Sequence, residues 1–494
     1  MSGLGSSIRA GALAVAALVL AGPRLASQVP DPPRRLKTAA TALPAIDLGL
    51  SPRGARLTAI GGHQAAVERA PERPWVAGRL LVKFRDQAHA ETVAIDAGAD
   101  PEATARLYAA RADVEFAQPD YRAHYAFHPN DPLFAQQWNL STLQMERAWD
   151  VQPGATSAIV VAVLDGGVAY DTATYTYNGF AVAVGSRRYP ALGRVTIPFA
   201  AAPELAGPGR FVAPHDFIWG DDAPVDLDGH GTHVAGTIGQ LTNNGVGVAG
   251  MAFNVRIMPV KVIGGDWDFI FDAPNEATTS VVAAGIRYAA DNGAKVINMS
   301  LGFDGGGPLP AIEEALRYAV GKGAFVAVAA GNSFEDGNPE EALAEIATKI
   351  DGVMSVGAVG RDLQRAYYSS SRSSVEIAAP GGNFRVGGDA GGIIQQTFDP
   401  VTSAVDPLSS PVSLYHAPRF DVFSYEAFQG TSMSTPHVSG LAALLMQQGI
   451  TSPAAIERAI KKFAQDLGAA GTDNDFGAGL IRPRETLRGL GLTR

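Results

Sequence analysis

The chain has 494 residues and no cysteine, with 46% hydrophobic and 18% charged residues. This is a globular composition, and the length allows roughly two to four domains. The lack of cysteine excludes disulfides, zinc–thiolate sites and cysteine nucleophiles, while a net charge of −10 argues against nucleic-acid binding, which needs a basic face.

The N-terminus has the pattern of a secretory signal peptide. Arg9 precedes the apolar run Ala10–Gly22, and small residues follow at Ala26 and Ser27. A membrane anchor is the alternative, but a spanning helix needs about 20 apolar residues. We therefore predict a signal peptide over residues 1–27, secretion to the extracellular space or the periplasm, and no stable membrane anchor once it is removed.

Two segments separate the signal peptide from the main body of the chain. Residues 28–73 are rich in Ala, Pro and Arg without periodicity, which predicts a linker, in part disordered. Residues 74–127 are predicted to form a small α+β unit. In this unit GRLLVKF and ADVEFAQPDYRAHYAF have strand patterns, and a helical stretch covers Glu91 to Ala109.

Beyond His128, short β-branched runs alternate with helical stretches. Continuous apolar strands separated by helices predict a parallel sheet that is covered on both faces. The predicted strands are Ala158–Asp165, Val255–Ile263, Lys295–Gly302, Ala324–Asn332 and Gly352–Gly360. The predicted helices are His230–Gln240, Thr279–Asn292 and Leu309–Gly321.

Three of these runs contain polar residues at or near their ends: Asp165, Ser300 and Asn332. Ligands of such sheets bind beyond the carboxyl ends of the strands, so this coincidence predicts a site. Taken alone, Asp165 is more often a turn former.

Two histidines lie in the stretch DLDGHGTHVAGTIG. His230 opens a helix whose small residues let it pack close to the sheet, and His233 follows one turn later, as a functional or a structural histidine. A metal pair formed by both is conceivable, but no acidic ligand follows at the spacing of zinc peptidases.

The stretch GTSMSTPHVSG, residues 430–440, opens an apolar helix. Its hydroxyls at Ser432, Ser434 and Thr435 could all be helix caps. A serine at a helix N-terminus also faces the positive end of the helix dipole, which favours developing negative charge. Acyl transfer by serine needs a base, an orienting acid and oxyanion donors. Asp165, His230 and Ser432 follow one another in the chain order of one such triad.

Four stretches, VAVLDGGV, DGHGTHVAG, AAGN and GTSMSTPHVSG, resemble in order the signatures of the subtilisin-like serine peptidases, the subtilase superfamily. The resemblance runs from about Asn130 to Leu490. It implies a three-layer α/β fold with a mostly parallel central sheet over residues 128–494, and a secreted serine endopeptidase that cleaves proteins or peptides through an acyl-enzyme. We expect a monomer. The alternative is a catalytically silent subtilase that binds peptides; a lipase or esterase is less favoured because the G-x-S-x-G elbow is missing.

The resemblance assigns roles to individual residues. Asp165 would orient the base His230, and Ser432 would be the nucleophile. Asn332 would donate its side-chain amide to the oxyanion, together with the backbone N–H of Ser432. His233 then becomes structural.

The segment Ser300, Leu301 and Gly302 resembles the family's edge strand. Such a strand pairs with an extended peptide and walls the pocket for the residue before the cut. Acidic residues follow the AAGN motif at Glu335, Asp336, Glu340 and Glu341. They would favour basic substrates if they line this pocket, but a solvated loop is the simpler interpretation.

Residues 74–127 resemble the inhibitory propeptide of the family. Such a propeptide assists folding, blocks the cleft as a partner of its own enzyme, and would be cut off near Phe127 by that enzyme. An unrelated N-terminal domain is the alternative.

The stretch LTNNGVGVAG, residues 241–250, resembles the family's strong calcium loop. Hard cations prefer oxygen ligands. The implied ligands of a structural Ca²⁺ are the carbonyls of Leu241, Val246 and Val248 and the side chains of Asn244 and Asp131. The second carboxylate, expected about ten residues after Asp165, has no counterpart in AYDTATYTYNGF. An ordinary Asn-Gly turn therefore remains the alternative.

Two segments are longer than in a compact subtilase: the connection from Asp165 to His230, and the stretch from Asn383 to Phe428. They could border the cleft and alter specificity, or decorate the surface.

Overall fold

The computed structural model describes residues 36–38, 75–96, 98–121, 127–184, 187–303, 307–405 and 415–491. The predicted signal peptide and most of the predicted linker lie outside these residues. Within the linker, Leu36–Thr38 forms strand β1, which pairs antiparallel with Thr174–Thr176. Backbone pairing of this kind requires no apolar periodicity, so the sequence contains no sign of it.

Residues 75–121 form a small α+β unit. Its elements are β2 (Trp75–Phe84), β3 (Glu91–Ala94), α1 (Pro101–Ala109) and β4 (Val114–Tyr121). The strands pair antiparallel in the order β3-β2-β4. A helix was expected from Glu91, but it begins only at Pro101, where the side chain of Asp100 caps it by accepting the N–H of Glu102 at 3.0 Å.

The remaining elements lie between residues 127 and 491. The strands are β5 (Val160–Asp165), β6 (Ala173–Gly179), β7 (Val182–Val184), β8 (Arg187–Tyr189), β9 (Gly193–Phe199), β10 (His215–Asp216), β11 (Arg256–Lys261), β12 (Val296–Met299), β13 (Phe325–Ala329), β14 (Val353–Val359), β15 (Ile377–Pro380), β16 (Ile393–Phe398) and β17 (Phe423–Phe428). The α-helices are α2 (Trp138–Thr142), α3 (Met145–Trp149), α4 (His230–Gly239), α5 (Asp266–Ile270), α6 (Thr279–Asp291), α7 (Pro310–Gly321), α8 (Ala342–Ala347), α9 (Pro400–Ser403), α10 (Thr431–Gln447), α11 (Pro453–Lys462) and α12 (Pro483–Gly491).

Seven strands form the central sheet, in the order β10-β11-β5-β12-β13-β14-β15, and all neighbours run parallel. The five predicted apolar runs supply β5 and β11 to β14, and the three predicted helices are α4, α6 and α7. The predicted mostly parallel sheet is therefore confirmed.

The two faces of this sheet are buried under different helices. In β5, Val161 and Val163 belong to a core shared with Leu441 and Leu444 of α10. Ala162, which lies between them, belongs to the core on the opposite face of the sheet, which is shared with α6 and α7. Because successive side chains of a strand point to opposite faces, a strand buried on both sides has to be apolar throughout. The result is the three-layer arrangement expected from the sequence. Among the described residues, no helix combines the length and apolar character needed to cross a membrane.

The two long segments form additional β-structure. Between β5 and α4, β6 pairs antiparallel with β9, and β1 adds to the other edge of β6. Before α10, β16 and β17 form an antiparallel pair. Residues of this second pair contact the segment that carries His230, as described below, so it is more than surface decoration.

Candidate active site

Asp165 and His230 meet at the carboxyl end of the central sheet. Asp165 is the last residue of β5 and is buried. Its Oδ1 lies 2.8 Å from Nδ1 of His230 and accepts the backbone N–H of Gly166 at 2.7 Å. Its Oδ2 is buried without a hydrogen-bond partner in the described part of the chain. The geometry is that of an acid orienting an imidazole through one carboxylate oxygen.

A close approach of helix α4 to the strand end brings His230 into place. A Cβ atom added to Gly231 would lie 2.0 Å from the carbonyl oxygen of Gly167, so only glycine permits this contact. The buried carboxylate of Asp226 holds the preceding turn. Its Oδ1 accepts the N–H of Gly229 at 2.8 Å, and its Oδ2 accepts the N–H and hydroxyl of Thr232 at 2.9 and 2.6 Å. Sequence analysis did not single out Asp226, although it lies within the DLDGHGTH stretch.

Carboxylates surround the imidazole and raise the pKa of His230 to about 9. Burial by itself lowers this pKa because it disfavours the charged form. Burial is the largest single effect, but it is outweighed by the sum of the charge of Asp165, its hydrogen bond to the ring, and the charges of Asp228 and Asp226. The site therefore stabilises the imidazolium.

Ser432 is the second residue of α10 and is half-buried. Its hydroxyl donates to the carbonyl oxygen of Ser300 at 3.3 Å, and the hydroxyl of Ser300 donates to the carbonyl of Ser432 at 2.8 Å. The helix N-terminus is thereby tied to the chain leaving β12. Transfer of its proton to His230 would require the hydroxyl to turn away from Ser300. Long or misaligned contacts of this kind are common before substrate binds.

Asn332 presents an amide donor next to the start of α10. Its Oδ1 accepts the backbone N–H and the hydroxyl of Thr431 at 2.8 and 2.9 Å. These two bonds fix the carboxamide and leave Nδ2 as the outward donor. A Cβ atom added to Gly430, the residue before the helix, would lie 3.7 Å from that Nδ2 and 3.6 Å from the backbone nitrogen of Ser432. Two donors therefore flank one small space, as oxyanion stabilisation requires.

The predicted substrate segment follows β12 directly. Ser300 and Leu301 are buried, whereas Gly302 is exposed. The side chain of Asn298 supports the segment by donating to the hydroxyl of Ser300 at 2.9 Å.

Comparison with known proteins decides the family. A sequence model of the subtilase family matches residues 156–479, which include the whole of the site. The chain is a subtilase. The arrangement of Asp165, His230 and Ser432 thus occurs in a serine peptidase family.

Several named serine peptidases resemble this subtilase. The thermophilic serine proteinase of Bacillus sp. (strain AK1) is 31% identical over 82% of this chain and 86% of its own length. Thermitase of Thermoactinomyces vulgaris is 31% identical over 70% of this chain and 95% of its own. A solved protease of Pseudoalteromonas arctica PAMC 21717 superposes with a TM-score of 0.55 at 28% identity, covering 73% of this chain and 99% of the other. These relatives support assignment of the subtilase as a serine endopeptidase.

His233 is packed inside the subtilase core. It is fully buried, its Nε2 lies 2.9 and 3.2 Å from the carbonyl oxygens of Ile393 and Glu426, and its ring stacks on Phe428 at 4.3 Å. Burial lowers the pKa of His233 to about 3, so the ring stays neutral. Its contacts tie α4 to the β16–β17 pair.

The predicted calcium loop encloses Asp131. The carboxylate of Asp131 is buried and accepts the backbone N–H groups of Asn243 and Asn244 at 2.7 and 3.2 Å. Among the described residues, no donor contacts the carbonyl oxygens of the three predicted backbone ligands, Leu241, Val246 and Val248. The side-chain oxygen of Asn244 accepts the N–H of Val246 at 2.9 Å. The five predicted ligand residues thus occupy one loop and its neighbour, with three carbonyls available.

Glu204 supplies a second carboxylate that sequence analysis did not find. It is buried, and its Oε2 accepts the N–H of Val248 at 3.3 Å. A Cβ atom added to Gly247 would lie 2.2 Å from its Oε1, so the carboxylate lies directly against the loop. The stretch AYDTATYTYNGF, where the sequence analysis looked for this carboxylate, contains β6, whereas Glu204 follows β9 in the tripeptide PEL, residues 203–205. The acidic residue of this tripeptide is the sequence feature that could have indicated a second carboxylate.

Two carboxylates, those of Asp131 and Glu204, interact at this loop. Burial raises the pKa of Glu204 and the charge of Asp131 raises it further, whereas hydrogen bonds from Tyr425 and other groups oppose the rise. In the described part of the chain, neither carboxylate takes part in an ion pair, and no group of three or more His, Cys, Asp or Glu side chains could hold a metal. A cation here would therefore depend on carbonyl oxygens as well as on Asp131 and Glu204, a donor set that fits Ca²⁺.

Proposed function

We propose that this subtilase is a secreted endopeptidase that hydrolyses peptide bonds of proteins through Ser432, His230 and Asp165. The main support is the 2.8 Å contact between Nδ1 of His230 and Oδ1 of Asp165, together with the packing of the helix that begins at His230 against the helix that carries Ser432. The catalytically silent alternative lacks support, because the chain contains every group that the mechanism requires: an acid, a base, a serine and an amide donor.

The geometry suggests how each group acts. His230 takes the proton of Ser432, whose Oγ attacks the substrate carbonyl, and Asp165 stabilises the resulting imidazolium. Nδ2 of Asn332 and the N–H of Ser432 donate to the oxyanion. His230 then returns the proton to the leaving amine, and water releases the acyl group by the same steps. The segment Ser300–Gly302 would pair with the extended substrate.

Maturation is proposed to remove the segment that ends near Phe127. Residues 75–121 have their own small core of Leu80, Val82, Ala105 and Val114. Phe127 instead contacts the catalytic domain, where its N–H donates to Asp150 at 2.8 Å and its ring stacks on Phe253 at 5.6 Å. Self-cleavage between these two bodies would release the N-terminal unit, for which a propeptide role is proposed. The signal peptide and secretion remain predictions from the sequence.

A structural Ca²⁺ is proposed at the loop of residues 241–248. Leu241, Val246 and Val248 would bind it through carbonyls, and Asn244, Asp131 and Glu204 through side chains. Calcium would neutralise two buried carboxylates and fix the loop that packs against residues 130–134.

The test is to express the full chain beside Ser432→Ala. The wild-type protein should shorten by loss of the segment ending near Phe127 and should hydrolyse casein, whereas Ser432→Ala should stay full length and inactive. Circular dichroism establishes that both are folded. The proposal fails if folded wild-type protein is as inert as the variant.

A further inference from the structure

Two buried charged side chains lie beside the catalytic acid, and the proposed mechanism does not use them. Lys261 is the last residue of β11 and is paired in register with Asp165, the last residue of β5. Its side chain is fully buried, and its Nζ donates to Oδ2 of Asp268, which is also buried, at 2.8 Å. Because residues in register on neighbouring parallel strands lie side by side, Lys261 starts next to the catalytic acid.

The ion pair holds the turn that leads into His230. Nζ of Lys261 also donates to the carbonyl oxygen of Val225 at 3.2 Å. A Cβ atom added to Gly167 would lie 2.6 Å from the same oxygen, so this carbonyl is held between Lys261 and the segment that follows β5. Val225 begins the turn of residues 225–229, which ends directly before the base.

Asp268 fixes the other side of this turn. Its Oδ2 accepts the N–H of Gly265 at 2.9 Å, and its Oδ1 accepts the indole N–H of Trp219 at 2.6 Å. A Cβ atom added to Gly265 would lie 3.2 Å from Oδ2 of Asp228, so the segment that Asp268 holds lies directly against that carboxylate. Both oxygens of Asp268 and the ammonium of Lys261 thus have partners, as a buried ion pair requires.

The titratable groups around His230 belong to this turn and to the elements packed against α4, which are chiefly α10, β16, β5 and β11. They are Asp226 and Asp228 in the turn, His437 in α10, Asp165 in β5, and Arg256 and Lys261 in β11, whereas β16 carries none. Burial lowers the pKa of His437 to about 4, so this ring is neutral. Protein atoms that crowd the carboxyl of Asp228 raise its pKa, although the residue keeps exposed surface, and the charges of His230 and Lys261 oppose that rise. Lys261 therefore helps to keep Asp228 ionised beside the base.

We propose that the ion pair of Lys261 and Asp268 is a positioning device for catalysis: it fixes the turn of residues 225–229 and thereby the two carboxylates whose charges act on His230. This inference rests on the proposed endopeptidase function. A buried ion pair adds little to the free energy of folding, because both charges lose their hydration, and apolar residues of similar size often replace it without loss. Apolar residues could not reproduce the hydrogen bonds to Val225 and Gly265, which hold the turn from two sides.

The test is the double variant Lys261→Met/Asp268→Leu, for which kcat/KM is measured against pH on one peptide substrate with the processed enzyme. One positive and one negative charge are removed, so the net charge is unchanged, and a moved acid limb reports the position of the remaining carboxylates. With the turn less well held, Asp226 and Asp228 stabilise the imidazolium less. The pKa of His230 then falls, and the acid limb should move to lower pH by about half a unit, while kcat falls about threefold or more and KM changes little.

Lys461→Met/Glu376→Leu is the matched control, because it removes another partly buried ion pair without altering the net charge. It should lower the Tm but leave the acid limb in place. An acid limb that also stays in place in Lys261→Met/Asp268→Leu would overturn the inference, since the pair would then serve stability alone.

If that double variant does not fold, the milder Trp219→Phe takes its place, because it removes only one hydrogen bond from Asp268. Its acid limb should move in the same direction by about a quarter of a unit, and an unmoved limb would overturn the inference equally. Wild-type protein that cleaves neither casein nor the peptide refutes the proposed function instead.

Discussion

His230 lies among three carboxylates, and only one of them is needed to orient it. Asp165 holds Nδ1, while Asp228 accepts the backbone N–H of His230 at 2.6 Å and Asp226 braces the turn before it. Each negative charge stabilises the imidazolium, so each raises the pH at which the base becomes available. A base with a pKa of about 9 predicts activity that increases towards alkaline pH.

Asp228→Asn tests this electrostatic effect without removing the acceptor oxygen of the His230 N–H. Loss of one negative charge destabilises the imidazolium, so the pKa of His230 falls and the acid limb of the kcat/KM profile moves to lower pH, by about one unit. The profile is measured on one peptide substrate. Asp222→Asn, at an 82% exposed carboxylate paired with His215, should leave it in place. An unmoved acid limb in Asp228→Asn would show that this charge does not act on the base.

At the residue scale, the sequence predicts those site residues that lie within short, distinctive motifs. Asp165, His230 and Ser432 were found because each lies in a distinctive stretch and the three follow one chain order. Glu204 was not found, because its position depends on how an insertion folds back on the distant Gly247. Such approaches leave no local pattern in the sequence.

At the scale of elements, the strands and helices of the central layers were predictable because burial on both faces demands continuous apolar runs. The insertions were not, since they are short antiparallel pairs. The β16–β17 pair shows why this matters. Thr397 in β16 donates to the carbonyl oxygen of Gly229 at 2.6 Å, directly before His230.

Thr397→Val keeps the shape of the side chain but leaves that carbonyl with only the N–H of His233, 3.1 Å away, as a donor. We expect a loss of about 1 kcal/mol in the free energy of unfolding, the contribution of one hydrogen bond, and a lower kcat, because the turn before His230 is less well held. Denaturant unfolding and peptide kinetics measure the two effects. Thr402→Val removes a hydrogen bond in α9, between the two strands, and should leave kcat unaffected. Equal kcat in both variants would contradict a role of the pair in positioning His230.

The calcium loop provides a second test at this scale. Chelation should lower the Tm of the processed enzyme by about 5–10 °C relative to calcium at roughly 100 times its Kd. Glu204→Gln should reduce this difference and weaken terbium luminescence at the site, whereas Glu276→Gln, at an exposed carboxylate, should change neither. A Tm that ignores both calcium and chelator would eliminate the proposed site.

At the scale of the whole molecule, the N-terminal unit and the catalytic domain each have a core of their own; the described residues of the first end at Tyr121 and those of the second begin at Phe127. From the sequence, a division near Phe127 is a prediction that rests on the different apolar patterns on either side. The sequence did not predict that β1, which lies upstream of both units, would pair with β6 in the insertion between β5 and α4.

If the proposed maturation removes β1, one edge of the sheet that contains β6 loses its partner strand. β1 covers the free edge of β6 at Thr174–Thr176, whereas β9 covers the other edge. A cut near Phe127 breaks the covalent link between β1 and the catalytic domain, so release of the N-terminal segment would leave backbone N–H and C=O groups of β6 unpaired. Amides at 174–176 should then exchange hydrogen for deuterium faster in the processed enzyme than in full-length Ser432→Ala. Equal exchange would mean that the strand stays bound after cleavage. If it leaves, maturation exposes a docking edge for any extended chain, including one from a second copy.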